Sequence, residues 1–383
     1  MIYLDNAATS SPKPQSVIRD VTNALRYYSA NPGRGGHTPS IKAAEAVYKT
    51  RTLVKELFHV SSEENVVFTS GCTHSLNTVI KGVLKKGDHV VISSMEHNAV
   101  VRPLHRLKEK GMIDYTIAKV TPGDNDATVN AFRDAINSKT RLIVCTHASN
   151  VFGTILPVER ICALAHAYGI LFCLDAAQSA GVIPIDLSEN AYDFVCCAGH
   201  KGLYGPTGIG LLLVNSDVLL DPLTEGGTGS DSVNPSMPDF YPDRLESGTL
   251  NITGICGLGA GIRFVNHHGI DKIYRHESRL IQRLYHELSS ISDVELYTAD
   301  PKTIPFAPVL SFNIKDCESE KVSEYLNRRY GVAVRAGLHC APLAHRMMGT
   351  LDRGTVRIAP SIFTTDQEIQ TLKIAIKNFS YNS

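Results

Sequence analysis

The 383-residue chain lacks a charge excess of either sign, with 38 Lys and Arg against 38 Asp and Glu. It therefore offers no electrostatic ground for a nucleic-acid or acidic-membrane partner, and its 15 histidines shift the balance only below neutral pH. No uncharged stretch reaches the ~18 apolar residues that a membrane helix needs. The start, Met1-Ile2-Tyr3-Leu4-Asp5, has neither the basic nor the apolar region of a secretory signal. A soluble, unprocessed chain is the expectation. Internal repeats, low-complexity tracts and a Cys-x-x-Cys pair are also missing. An odd count of nine cysteines argues against a disulfide framework. Cys145, Cys173, Cys196 and Cys197 lie in apolar runs, where a free thiol behaves as a small hydrophobe. A reducing cytoplasm fits this usage.

What is present is alternation. Apolar, β-branched runs at 66–69, 89–92, 115–120, 142–145, 171–174, 194–197 and 210–214 are separated by stretches that include helical patterns such as Thr128 to Ile136 and Val158 to Tyr168. Strand–helix alternation predicts βαβ units, and continuous apolar runs predict strands covered on both faces. From about Gly226 to Gly248 the composition turns to Gly, Ser, Pro and Asp, which reads as a long irregular loop of the kind that is usually functional or disordered. A long helix from about Gly254 to Ser289 follows. Beyond it come a strand at 309–314, a helix at 319–329, strands at 332–334 and 356–358 and a terminal helix at 366–379. The expected division is an N-terminal arm at 1–15 packing with the small domain, a large α/β domain at 16–258 and a smaller α+β domain at 259–383.

Open α/β sheets bind ligands beyond the carboxyl ends of their strands. After the first run comes Ser70-Gly71-Cys72-Thr73-His74-Ser75, a small-residue turn opening a helix whose free amides suit a phosphate; by itself it equally describes an ordinary capped helix start. After 171–174 comes Asp175-Ala176-Ala177-Gln178. An acid ending a buried strand needs a cation, such as a protonated pyridine nitrogen, although a helix-capping Asp is the alternative. After 194–197 comes Ala198-Gly199-His200-Lys201-Gly202. A lysine among glycines behind a buried strand suits a Schiff base with an aldehyde; a surface lysine in a Gly-rich turn is the bland reading. The GxxxxGK[ST] nucleotide loop is absent.

These fragments stand in order with Tyr3-Leu4-Asp5-Asn6-Ala7-Ala8-Thr9, Asn31-Pro32-Gly33-Arg34-Gly35-Gly36-His37, Glu96-His97-Asn98-Ala99, Ser149-Asn150-Val151-Phe152-Gly153-Thr154, Arg244-Leu245-Glu246-Ser247-Gly248-Thr249, Arg335-Ala336-Gly337-Leu338-His339-Cys340-Ala341 and Val356-Arg357-Ile358. Over essentially its whole length the chain resembles the fold-type I, pyridoxal-phosphate-dependent class V aminotransferase family, and within it the short-loop (type II) cysteine desulfurases and selenocysteine lyases. The resemblance implies an α/β large domain with a mainly parallel seven-stranded sheet, a smaller C-terminal α+β domain and pyridoxal 5′-phosphate as cofactor.

It also implies roles. Lys201 would bind the cofactor covalently and then move the substrate α-proton, Asp175 would pair with the pyridinium nitrogen, Gln178 would bond the ring phenolate and His97 would stack on the ring. Thr73, His200 and, across a dimer interface, Thr249 would hold the phosphate, with Asn150 beside the ring. Arg357 would bind the substrate carboxylate, which suits a planar guanidinium, with Arg335, Asn150 and His37 also on the substrate side. Cys340 would be the nucleophile that takes sulfur as a persulfide while alanine forms. Arg335, His339 and His345 are near it in sequence and suggest an electropositive, thiolate-favouring setting. Outside the resemblance, His97 reads as a loop residue, Arg357 as a strand-end arginine and Cys340 as an inert buried thiol.

Two departures stand out: Ala198 replaces a common Ser before the Gly-His-Lys, and Leu338 replaces the first His of a His-His pair. The expected protein is a homodimer acting on L-cysteine or L-selenocysteine and serving a sulfur-acceptor protein, with no metal, nucleic acid or membrane involved. A selenocysteine lyase or cyst(e)ine C–S lyase is the near alternative. An aminotransferase or a PLP-binding protein without turnover is a more distant one.

Overall fold

The computed structural model describes residues 1–33 and 35–380. Arg34, part of the 31–37 motif, lies outside the described residues. After a short arm strand, β1 (Ile2–Tyr3), the seven apolar runs become β2 (Val66–Thr69), β3 (His89–Ser93), β4 (Asp114–Ala118), β5 (Thr140–Thr146), β6 (Leu171–Asp175), β7 (Phe194–Ala198) and β8 (Gly210–Val214). They form one sheet in the order β2-β8-β7-β6-β5-β3-β4, in which β8 alone runs against its neighbours. The mainly parallel seven-stranded sheet expected from the sequence is therefore present.

Its strands are apolar throughout because alternate residues serve two cores. Phe68, Val91, Ile143, Phe172, Val195 and Leu211 pack on one face. Val67, Val90, Val144, Cys173, Phe194 and Leu212 pack on the other. Edge strand β4 is the exception, mostly exposed before Ala118.

The C-terminal part carries β9 (Val294–Leu296), β10 (Leu310–Ile314), β11 (Val332–Ala333), β12 (Arg335–Gly337) and β13 (Thr355–Ile358). Four of them make an antiparallel sheet in the order β12-β13-β10-β9, and β11 instead pairs in parallel with β1 of the arm. Leu4 lies in the same core as Phe312, Leu326 and Val356. The arm is thus built into this C-terminal core.

One element differs from expectation. The long helix of 254–289 is two helices, Ile252–His268 and Ile270–Leu288, parted by Gly269 at φ +82°, a conformation glycine adopts without a Cβ clash. The first helix runs unbroken across residue 258 and lies close to the turn after β7. A Cβ on Gly261 would sit 2.2 Å from the Leu203 carbonyl oxygen. No helix among the described residues is long and apolar enough to cross a membrane.

Residues 226–248 contain neither helix nor strand, yet the segment is anchored. Buried Glu246 meets the Arg51 guanidinium and accepts from Phe68 N at 2.6 Å, while Arg51 also donates to Val66 O and lies over the Phe68 ring. Burial pushes the Glu246 pKa up, opposed by Arg51. Arg51→Met leaves that carboxylate buried without a cation and is expected to destabilise the fold by about 3–5 kcal/mol. Denaturant unfolding at pH 8 measures it; an unchanged midpoint refutes it.

Candidate active site

The carboxyl ends of β2, β3, β5, β6 and β7 open on one side of the sheet, and a cavity of about 270 Å³ lies there. Thr73, His97, Asn150, Asp175, Gln178, His200 and Lys201 all line it, together with Cys72 and Ala198. Seven residues from five separate segments converge because the parallel strands deliver their following loops to a common edge.

Asp175 ends β6 and is nearly fully buried. Its Oδ1 accepts from Ala177 N at 2.9 Å and from the Cys72 thiol at 3.4 Å. It therefore caps the following turn, as the capping reading expects, and lines the cavity at once. Lys201 is not a surface lysine. Burial lowers its pKa and Arg357 and Arg335 lower it further, while Asp175 and Cys72 act against them. A desolvated amine of this kind holds a larger neutral fraction near pH 7 than a free lysine.

His97 caps the helix Asn98–Glu109, its Nδ1 accepting from Ala99 N at 3.0 Å. Burial lowers its pKa against the pull of Asp175, leaving a neutral ring at the cavity wall. His200 is held neutral too, its pKa pushed down to about 4 by burial and by Lys201 and Lys13. The buried Nδ1 of His200 has no hydrogen-bond partner. Helix Cys72–Val83 starts at Gly71 without a side-chain cap, so its first amides point out of the helix end.

A pyridoxal phosphate group suits these residues. The helix start and the unpartnered His200 nitrogen meet the need of a phosphate for donors. Buried Asp175 matches a protonated ring nitrogen, and the Lys201 amine matches an aldehyde. Ala198, 4% exposed, presents a methyl group where a hydroxyl would add a donor. The Gln178 Nε2 donates to Ala7 O at 3.0 Å, so the arm orients this side chain at the cavity edge.

Arg357, on β13, is 1% exposed, donating to Asp5 Oδ1 at 2.6 Å and to Asn150 O at 2.9 Å. Its Nε has no partner. Arg335 stands opposite it on β12 and reaches to 4.0 Å from the Cys340 sulfur. The Cys340 loop is tied to the cavity residues twice: Asn98 N donates to Cys340 O at 2.7 Å, and Asn150 Nδ2 donates to His339 O at 2.8 Å. Cys340 is exposed, which removes the reading of it as a buried inert thiol.

The expected electropositive setting needs correction. His339 and His345 are buried and stacked on each other. Burial first, and then Arg357 for His339, pushes their pKa values down to about 3 and about 4. Both are neutral at physiological pH, and Arg335 is the cation within reach of the sulfur.

His37 and Thr249 are not among the cavity residues. His37 caps the helix Thr38–Phe58, and Thr249 Oγ1 accepts from Asn31 Nδ2 at 3.4 Å on the outer surface. Sequence reasoning did not single out Cys72, Asp5 or Glu96 as contributors. Asp5 and Glu96 stood inside quoted motifs without a role. Glu96 Oε1 accepts from Ser93 Oγ and, at 2.8 Å, from Thr146 N, joining the ends of β3 and β5, and burial pushes its pKa up to about 8. The contact of Cys72 with Asp175 had no signal in spacing, because it joins residues on different strands' loops.

Comparison with known proteins agrees with this geometry. The model of the aminotransferase class-V family matches residues 2–372. A probable cysteine desulfurase of Methanothermobacter thermautotrophicus is 37% identical over 97% of this chain and 92% of its own length. A cysteine desulfurase of Enterobacter sp. (strain 638) is 35% identical over 100% and 94% respectively. The apo structure of a cysteine desulfurase from Thermococcus onnurineus NA1 superposes with a TM-score of 0.90 at 30% identity, covering 100% of this chain and 95% of that one.

Of the nine cysteines, Cys340 alone is exposed, and burial raises the pKa of Cys72, Cys145, Cys162, Cys196 and Cys197. A maleimide added below stoichiometry to the native protein is therefore expected to label Cys340 first. Peptide mass spectrometry reads the site, and equal labelling of a strand cysteine would contradict the arrangement.

Proposed function

The chain belongs to the aminotransferase class-V family, and on that footing we propose that it is a pyridoxal-phosphate-dependent cysteine desulfurase. It converts L-cysteine to L-alanine and receives the sulfur on Cys340 as a persulfide. The observation that carries this reading is the attachment of an exposed cysteine loop, through Asn98 and Asn150, to a cavity holding Lys201 and Asp175. Transamination needs no such cysteine.

In this reading Lys201 anchors the cofactor, Asp175 faces the ring nitrogen, Gln178 the phenolate and His97 the ring face, while Thr73, His200 and the start of helix Cys72–Val83 hold the phosphate. When bound, pyridoxal phosphate supplies an electron sink for the bonds at the substrate Cα. Arg357 binds the substrate carboxylate, with its unpartnered Nε available as a donor, and Asn150 and Arg335 border the same space. Lys201, once displaced by substrate, holds and moves the α-proton at Nζ, a task its lowered pKa favours.

The Cys340 sulfur, exposed and 4.0 Å from the Arg335 guanidinium, attacks the substrate sulfur as a thiolate. The S–S bond forms as the Cβ–S bond breaks, its electron pair passes to the substrate carbon, and a proton completes the alanine methyl group. Cysteine and the thiol thus balance against alanine and persulfide with no external oxidant. Exposure of Cys340 lets the sulfur pass to an acceptor protein.

We also place the N-terminal arm at 1–15 and the junction of the large and small domains at Gly269 rather than at 258, because helix Ile252–His268 packs with the large sheet's core through Ile255, Leu258 and Ile262. A reducing cytoplasm suits nine free cysteines.

Assays of alanine and persulfide with cysteine, selenocysteine and cystine in parallel test the function. Cys340→Ala is expected to abolish persulfide and to lower alanine formation from cysteine by at least about 100-fold, since no second thiol is exposed. Full sulfide release by that variant would favour β-elimination and sink the persulfide route.

His37 and Thr249 enter through a homodimer in this proposal, each chain contributing them to the partner's cavity. Exposed Ile18, Leu25, Ile41 and Tyr48 on helices Gln15–Tyr27 and Thr38–Phe58 support such an interface. Sedimentation is expected to give a dimer, with Thr249→Ala weakening cofactor retention without dissociating it. A monomer that retains cofactor fully would overturn this part.

A further inference from the structure

His200 and Lys201 share one peptide group, and its oxygen is enclosed by donors from the N-terminal arm. Ser10 N–H donates to His200 O at 3.0 Å, Thr9 Oγ1 at 3.1 Å, Ser10 Oγ at 3.2 Å and Lys13 Nζ at 2.9 Å. Lys13 Nζ also donates to Ser10 Oγ at 2.7 Å, closing a triangle of lysine, serine and carbonyl. A carbonyl oxygen has two lone pairs, so four neighbouring donors compete for it, and the charged one makes the strongest bond.

We propose that Lys13 is a positioning residue of the active site: its ammonium fixes the His200–Lys201 peptide plane from behind and so sets where the Lys201 side chain enters the cavity. Peptide planarity is what transmits the effect. Holding His200 O fixes the orientation of Lys201 N and, with it, the Lys201 N–Cα bond. The far side of the turn is held independently, Gly199 N donating to Ile209 O at 3.1 Å and Tyr204 N to Lys201 O at 2.8 Å. The arm's bond completes the clamp.

Two further observations agree. Lys13 Nζ has Ser10 Oγ and His200 O as its partners rather than a carboxylate, and burial brings its pKa down to about 8. Its charge also helps to keep the His200 ring neutral. The same arm places Asp5 on Arg357 and Ala7 O on Gln178. One segment thereby touches the substrate side and the cofactor side of the site.

The role of Lys201 in this inference rests on the desulfurase reading, and the experiment separates the two. Wild type, Lys13→Met, Lys13→Arg and Ser10→Ala are loaded with pyridoxal phosphate. Each is followed for loss of bound-cofactor absorbance during dialysis, for kcat and KM with cysteine, and for melting in the cofactor-free form. Lys13→Met is expected to lose cofactor roughly tenfold to a hundredfold faster and to lower kcat more than it raises KM, as misplacement of a reacting group does. Lys13→Arg is expected to restore most of both, Ser10→Ala to show a smaller change in the same direction, and the cofactor-free proteins to melt together.

Unchanged cofactor release in both Lys13→Met and Ser10→Ala would overturn the proposal. So would a fall in cofactor-free melting that accounts for the whole effect, which is the mark of a merely structural lysine. If Lys13→Met does not fold, the Ser10→Ala and Lys13→Arg comparisons decide. If wild type forms no alanine from cysteine, the functional reading fails, while the release rates still report on Lys13.

Discussion

A buried carboxylate at the end of β6 is the group around which the cavity is arranged. Asp175 is 3% exposed, and an ion so placed is costly unless donors and a cation meet it. The chain supplies Ala177 N and the Cys72 thiol as donors. Its charge opposes the desolvation of Lys201 and of His97, and it adds to the burial that protonates Glu96. Three neighbouring protonation states therefore depend on one side chain. The sheet makes this tolerable, because the carboxyl edge of parallel strands is where backbone donors are left free and helices begin.

A second ion pair, between Arg357 and Asp5, has a different character. Arg357 is more deeply buried than Asp5, and Asp5 comes from the arm rather than from the sheet that holds the arginine. Pairing β1 with β11 and inserting Leu4 into the C-terminal core bring Asp5 to that place. The arm then continues past Gln178 to the His200 carbonyl. Packing of the arm in the C-terminal core thus orients Arg357 and the cavity residues Gln178 and His200, and a displacement of the arm would disturb all three together.

What the sequence could and could not announce follows from range. The seven strands were readable because each is a run of apolar residues serving two cores, a local pattern. Asp175 and Lys201 were readable for the same reason, as polar residues at the ends of such runs. The break at Gly269 was missed because a glycine between two helical stretches, the first of which carries four other glycines, does not reveal whether its φ is positive. The reach of Asp5 to Arg357, of Cys72 to Asp175 and of Lys13 to His200 was hidden because these contacts join segments separated by about a hundred to several hundred residues, and no periodicity encodes them. His339 and His345 misled in the opposite direction: nearness in sequence suggested charge at the sulfur, and only burial decides that a histidine stays neutral.

The cysteine loop shows how reactivity is separated from the rest of the thiols. His339 and Cys340 both adopt positive φ, 50° and 57°, a conformation that costs energy in non-glycine residues and persists where surroundings over-determine it. Those surroundings are present: Asn150 holds His339 O, Asn98 holds Cys340 O, and the stacked, buried imidazoles of His339 and His345 fix the loop from within. The neutral histidines therefore act as structure, and the left-handed turn projects the sulfur outward beside Arg335. Leu338, 39% exposed at the same turn, is an apolar side chain and not a titratable ring. The protein thereby keeps one thiol that is accessible and near a permanent cation, set apart by exposure and backbone geometry rather than by a cluster of histidine charges, while burial keeps Cys145, Cys196 and Cys197 protonated in the core.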